Sequence, residues 1–241
     1  MTRDHLSGSV EHEADRLKLW CAWLDRLWGS VFDLLLSRRG LKECAKVLIR
    51  GQASLLALQT LGISYQSWVA LKIRCQLDTD KRSVSLARLL NEIAPHPDLL
   101  TRDRFVRRYV SNRHVNAPFK TTHWSVEEQK QFMLWSREGN RRFDEIVGVG
   151  VRSLSAEMIS RDQSSLRECA EMVRNFVNKQ VAHHDEIGLK ARPVNGSLDA
   201  WLDHLGVNPC IELIRSLFVK YWWLINVSEL PDLPEVSQAT S

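Results

Sequence analysis

LKLWCAWLDRLWGSVFDL, running from Leu17 to Leu34, sets Leu17, Trp20, Leu24, Leu27, Val31 and Leu34 at alternating steps of three and four residues. That interval keeps the six apolar side chains on one stripe of a helix, a seam that buries itself against neighbouring helices. A strand needs apolar residues at every second position, and no run of this chain alternates that way. The fold class read from this stretch and its neighbours is all-α.

The same period continues outward. Arg38 and Arg39 followed by Gly40 suit a helix end, with cations on the negative pole and a glycine free to turn left-handed, so the first helix is expected to stop there. A second helix is expected over Leu41 to about Gly62, a third over Ser64 to about Leu77, and a shorter one over Ser85 to Ile93. Pro95 and Pro97, in APHPDLL, interrupt the pattern and mark where an insertion would sit. Ser125 with Glu128 three residues on reads as a capping box opening a helix to about Ile146. Ser164 to about His184 carries Leu166, Ala170, Val173, Val177 and Val181 on one stripe, and a loop follows around Lys190 to Gly196. Asn208 as cap with Pro209 in the first turn opens the last helix, with Ile211, Ile214, Phe218, Tyr221 and Ile225 on one face. There is no internal repeat and no dividing linker. Residues 1–228 are therefore read as a single all-α domain and 229–241, within SELPDLPEVSQATS, as a disordered tail.

Composition narrows the function classes. With 44% hydrophobic residues and nine Trp, a chain of 241 residues has ample material for a core. A net charge of +4 permits a nucleic-acid partner without demanding one. Five cysteines, Cys21, Cys44, Cys75, Cys169 and Cys210, are odd in number and never spaced C-x-x-C, so they are read as reduced, mostly buried thiols rather than a disulfide framework or zinc site. The polar opening MTRDHLSGSVEHEAD lacks the apolar core of a signal peptide, and a cytoplasmic location is expected. Gly51 to Leu71 is uncharged and long enough to span a bilayer, yet Gln52, Ser54, Gln59, Thr60, Ser64, Gln66 and Ser67 make it a buried helix rather than a membrane span. No nucleophile elbow, phosphate-binding loop or dinucleotide glycine pattern occurs.

RNFVNKQVAHHD, Arg174 to Asp185, is the stretch with the most chemistry. Its run Asn178, Lys179, Gln180, Val181, Ala182, His183, His184, Asp185 resembles the signature of the HEPN superfamily, an Arg followed after four to six residues by His. It is most like the abortive-infection AbiU-like branch, with its form R-N-K-x-x-A-H-x-D, and departs from it only where Val177 stands in place of the Arg. LDTDKRSVSLARLLNEI, Leu77 to Ile93, resembles the upstream segment of those proteins, an Asp-containing turn before a Ser-started Leu-rich helix. The likeness covers roughly residues 70–185.

The resemblance implies a HEPN-like helical bundle with additional N- and C-terminal helices, pairing as a homodimer through the helix that carries His183. It implies a bacterial toxin or phage-defence protein of abortive-infection type, a metal-independent endoribonuclease with no cofactor and with a cognate antitoxin as a further partner. His183 would act as general acid or base, Asn178 as an orienting group and Lys179 as a phosphate contact. The alternative is a non-catalytic HEPN-like module that binds RNA or a partner protein, Val177 marking the lost site. A third reading, a helical regulatory or immunity protein unrelated to this superfamily, stands beside both.

Helix geometry sorts these residues. Nine positions at about 100° and 1.5 Å each put Arg174 about 180° around the helix from His183, so it does not replace the missing Arg within one chain. Lys179, four before His183, shares its face, but an ammonium neutralises phosphate without gripping it bidentately. His184 continues the stripe of Val177 and is read as packed. Consecutive His183, His184 and Asp185 diverge by about 100° each, so no metal site is expected there.

A basic segment completes the picture. From Thr101 to Lys120, Arg102, Arg104, Arg107, Arg108, Arg113 and Lys120 oppose only Asp103. Arg104, Arg107, Arg108 and Arg113 are the RNA-binding candidates, with Phe105 and Tyr109 either anchoring the segment or stacking on bases. A solvated charged helix is the competing reading.

Overall fold

A computed structural model describes residues 4–52, 54–113, 125–176 and 208–228. The described residues are all-α: α1 (Asp4–Arg50), α2 (Leu55–Leu77), α3 (Leu86–Ile93), a 3₁₀ turn at Pro97–Leu99, α4 (Arg102–Arg113), α5 (Val126–Val147), α6 (Ala156–Phe176) and α7 (Asn208–Asn226). Their only extended pairing is an isolated bridge between Thr101 and Ser153. None of these helices is long and apolar enough to cross a membrane.

They gather into two compact units, each assembled from separated parts of the chain. The first holds residues 4–24, 89–113, 125–161 and 218–228, and the second 25–52, 54–88, 162–176 and 208–217. Trp20, Phe105, Tyr109, Phe143, Ile159, Phe218 and Tyr221 are buried in the first. Leu27, Val31, Leu34, Val69, Ile73, Leu166, Val173, Ile211 and Ile214 are buried in the second. The seam of Trp20, Leu24, Leu27, Val31 and Leu34 is thus buried as its spacing predicts, while Leu17 is half-buried.

Two glycines expected to break helices do not. Gly40 lies inside α1, which runs on to Arg50, because Leu41 and Ala45 extend the buried stripe past it. Arg38 accordingly lies within α1 rather than at its end and is itself buried. Burial pushes the phenol of Tyr65 up to about 12, against the opposing pull of the Arg38 cation. Gly62 lies within α2, so the break falls at Gly51 to Ser54, where Gln52 has φ of +52° and the Ser54 hydroxyl accepts from Ala57 N at 3.3 Å. α6 begins at Ala156, ahead of the expected Ser164, because Ser155 accepts from Met158 N at 3.2 Å and Ile159 extends the buried face. The capping box of α5 is formed as expected, Ser125 accepting from Glu128 N at 3.2 Å and Glu128 accepting from Ser125 N at 2.7 Å.

The first unit is knotted at the start of α4. The Arg102 guanidinium pairs with Asp144, donates to the Val151 carbonyl at 2.8 Å and lies over the Phe143 ring at 4.9 Å. Asp144 also accepts from Gly150 N at 3.3 Å, in a loop where Gly148 and Gly150 take φ of +124° and +75°. The hydrogen bond from Arg102 holds the Asp144 carboxyl below the ordinary aspartate value. Arg102→Leu strands the Val151 carbonyl and this carboxylate together. Breaking a buried pair costs more, but these side chains keep 18% and 28% exposure and Asp144 keeps its bond from Gly150 N, so a smaller loss than for a fully buried pair is expected in urea unfolding. A depressed folded pKa gives stability that is complete above the unfolded value near 4 and is lost as pH falls through the folded one. The variant should therefore lose part of the wild type's acid-side slope in that range.

α4 and α5 approach closely at Gly139, where an added Cβ would lie 3.2 Å from Tyr109 Cδ1. Alanine gains helix propensity of about 1 kcal/mol, which offsets that crowding, so Gly139→Ala is expected to be near neutral. Gly139→Val has no such offset and should cost about 1–3 kcal/mol by overpacking against the buried Tyr109 ring. Thermal unfolding of the two variants checks the contrast.

Candidate functional site

The second half of α2 explains how a groove arises. Val69, Ile73 and Gln76 turn to the interior, while Ser67, Leu71, Arg74 and Cys75 remain on the outer side. On α6, Leu166, Cys169 and Val173 are buried, and Glu171 and Arg174 are exposed. Between these helices, within the second unit, lies a groove of about 890 Å³. Its walls are Ala70, Leu71 and Arg74 on one side and Ala170, Val173 and Arg174 on the other, and Leu77, Asp78 and Thr79 close one end.

That end is firmly built. The Asp78 carboxylate accepts from Asp80 N at 3.0 Å, and Asp80 accepts from Arg82 N at 2.8 Å and from the Arg82 guanidinium at 2.9 Å. The Arg82 side chain, then its backbone N–H, holds the Asp80 carboxyl below the ordinary aspartate value. Ser85 is fully buried; its hydroxyl donates to the Asp78 carbonyl and accepts from Arg88 N at 3.1 Å, starting α3. Arg88 Nη1 returns to the Ser83 carbonyl at 2.6 Å. The aspartates therefore organise a turn, and the exposed cations at the groove are Arg74 and Arg174. Two guanidinium groups beside an apolar floor suit an anion that carries flat or apolar parts, since each presents a fork of donors to phosphate. Asp78 and Glu171 balance them in charge, so the lining carries no net formal charge.

Asn178, Lys179 and His183 lie outside the described residues, as do Val177, His184, the loop expected around Lys190 to Gly196 and the tail 229–241. α6 is described as far as Phe176, immediately before this stretch. The four basic candidates all lie on α4. Arg108 is turned inward, its guanidinium donating to the Ile225 carbonyl, and burial holds it below the ordinary arginine value. Arg104 pairs with Glu13 at 2.8 Å. Arg113 lies over the Tyr109 ring at 4.9 Å and 4.0 Å from Glu138. Arg107 is exposed. Phe105 and Tyr109 are buried, so they anchor α4 rather than offer faces to bases.

The cysteine expectation also changes. All five are free thiols, but only Cys169 and Cys210 are buried; Cys44 and Cys75 are exposed, because each falls on the outer side of its helix. Among the described residues no group of three or more His, Cys, Asp or Glu is placed to hold a metal ion. Sequence reasoning missed Arg74. The signal was present in the spacing of Ser67, Leu71, Arg74 and Cys75, one face of a helix whose other face is apolar. Compared with known proteins, the chain matches no family model, no curated protein and no solved structure.

Proposed function

We propose that this chain is a HEPN-type, AbiU-like RNA-directed protein, a metal-independent endoribonuclease of the toxin or phage-defence kind, acting as a homodimer. One observation carries the reading. The two stretches on which the resemblance rests are far apart in sequence, yet Leu77, Asp78 and Thr79 from the first and Arg174 from the second line a single groove. On this reading His183 moves protons as the RNA 2'-hydroxyl attacks its neighbouring phosphate, Asn178 orients, and Lys179 neutralises the phosphate. Arg74 and Arg174 hold phosphates at the groove, on the side of the helix away from His183, and Arg107 is an exposed cation of the basic helix.

A second reading is favoured by one residue. Val177 occupies the position of the pattern's Arg, and an apolar side chain supplies no donors to phosphate, so the chain would be an RNA- or protein-binding module without cleavage. The deciding experiment is an RNA-cleavage assay in chelator with wild type, His183→Ala and Val177→Arg. Cleavage by wild type that His183→Ala removes supports the enzyme. RNA binding without cleavage, with activity appearing in Val177→Arg, supports the module. Neither binding nor cleavage by any of the three would sink both.

A further inference from the structure

Within the second unit α1 and α2 run antiparallel, since Gln76 Nε2 donates to Ser30 Oγ at 2.7 Å and Lys72 pairs with Asp33 at 3.3 Å. The core along this hairpin ends at Ala45 and Gly62. Past those two residues both helices continue, α1 to Arg50 and α2 from Leu55, which adds about 8 and 10 Å of helix on the two sides of the turn. Among the described residues from Lys46 to Leu61 none is buried. Yet this arm is apolar, with Val47, Ile49 and Leu56 exposed to 67%, 54% and 70%. On α2 the outer stripe continues from Leu56 through Thr60, Ile63 and Ser67 to Leu71, opposite the buried Tyr65, Val69 and Ile73. The uncharged run from Gly51 to Leu71, expected to be a buried helix, is therefore buried on one face only.

We infer that this arm docks on an anionic lipid surface. Charge decides between the occupants that an exposed apolar face admits. From Arg39 to Leu71 the cations Arg39, Lys42, Lys46 and Arg50 oppose only Glu43. Lys46 lies 2.9 Å from Glu43, but both side chains are largely exposed, and a surface pair of this kind is weak enough to yield to a headgroup. A second copy of the chain, paired arm to arm about a two-fold axis, would set these cations against their own images. A nucleic acid accepts the cations but gains nothing from Val47, Ile49 and Leu56, which are aliphatic and give bases no ring to stack on. Lipid uses both kinds of group. Headgroup phosphates and carboxylates meet Lys42, Lys46 and Arg50, while the aliphatic tips enter the boundary between headgroups and acyl chains, to a depth of about 5–10 Å. The length of helix beyond the core matches that depth.

Flotation of the full chain with vesicles tests it. Wild type is expected to rise with vesicles of phosphatidylcholine and phosphatidylserine in a three-to-one ratio, to stay behind with phosphatidylcholine alone, and to be released as salt is raised. Leu56→Asp and Arg50→Glu, both at exposed positions, are each expected to weaken binding about tenfold or more while keeping the wild-type circular dichroism. Wild type that fails to float with the anionic vesicles at low salt overturns the inference, and so does a folded Leu56→Asp that floats equally well. A wild-type dimer in sedimentation that Leu56→Asp splits, with no flotation, gives the arm to a second copy and overturns it. RNA binding that Arg50→Glu weakens and Leu56→Asp does not, again with no flotation, gives the cations to a nucleic acid and overturns it too. Flotation involves no cleavage, so the inference stands or falls apart from the ribonuclease reading.

Discussion

Phe143→Ala is expected to lower the free energy of unfolding by about 3–5 kcal/mol, the range for truncating a fully buried aromatic ring. Phe143 is completely excluded from solvent. Its ring meets the edge of Phe105 at 5.5 Å between centroids and an interplanar angle of 61°, and the Arg102 guanidinium lies over it at 4.9 Å. Removing the ring leaves a cavity between α4 and α5, takes away the aromatic pair, and withdraws the surface on which the Arg102 fork rests. All three losses have the same sign, which places the expectation toward the upper half of the range. Phe143→Leu keeps much of the volume and should lose distinctly less. Chemical denaturation of both variants checks this. A loss below about 1 kcal/mol for the alanine variant would mean that the site collapses around the missing ring, at odds with a rigid α4–α5 contact.

His183→Ala carries the second large effect. On the proposed ribonuclease reading, the loss of a positioned general acid or base costs about 10²–10⁴ in rate. Lys179→Ala removes charge stabilisation rather than proton transfer, and a drop of about 10²-fold is expected. Their pH profiles separate the roles, because loss of a proton-transfer group changes the shape of the profile and loss of a charge contact changes mainly its height. Cleavage that survives in His183→Ala at the wild-type rate would take His183 out of the mechanism. A profile unchanged in shape, with only its height reduced, would assign His183 to binding.

How far the fold could be read in advance depended on which force placed each residue. Trp20, Leu24, Leu27, Val31 and Leu34 are buried because a period of three and four survives in any helical packing, and Ser125 with Glu128 is a purely local motif. Gly40 and Gly62 failed as breakers because burial of the stripes on either side outweighs the modest propensity cost of one glycine, about 1 kcal/mol. The real break, at Gln52, depends on a left-handed residue that carries no sequence signature. The candidate site was legible only in part. The likeness of Leu77 to Ile93 and Arg174 to Asp185 pointed to two segments, but that Leu77, Asp78 and Thr79 share one groove with Arg174 and Arg74 is a tertiary fact. Arg104 and Arg108 share a helical face, as their spacing requires, but spacing could not say that this face turns toward Glu13 and Ile225.

That inward turn has a consequence in ionic strength. The number of counterions released when a protein binds a polyanion follows the cations that actually meet phosphate, and so does the slope of log affinity against log salt. Arg102, Arg104 and Arg108 already spend their donors on Asp144, Glu13 and the end of α7. Three of the five arginines of α4 are therefore cement, and a salt titration should register the helix less than its arginine count suggests.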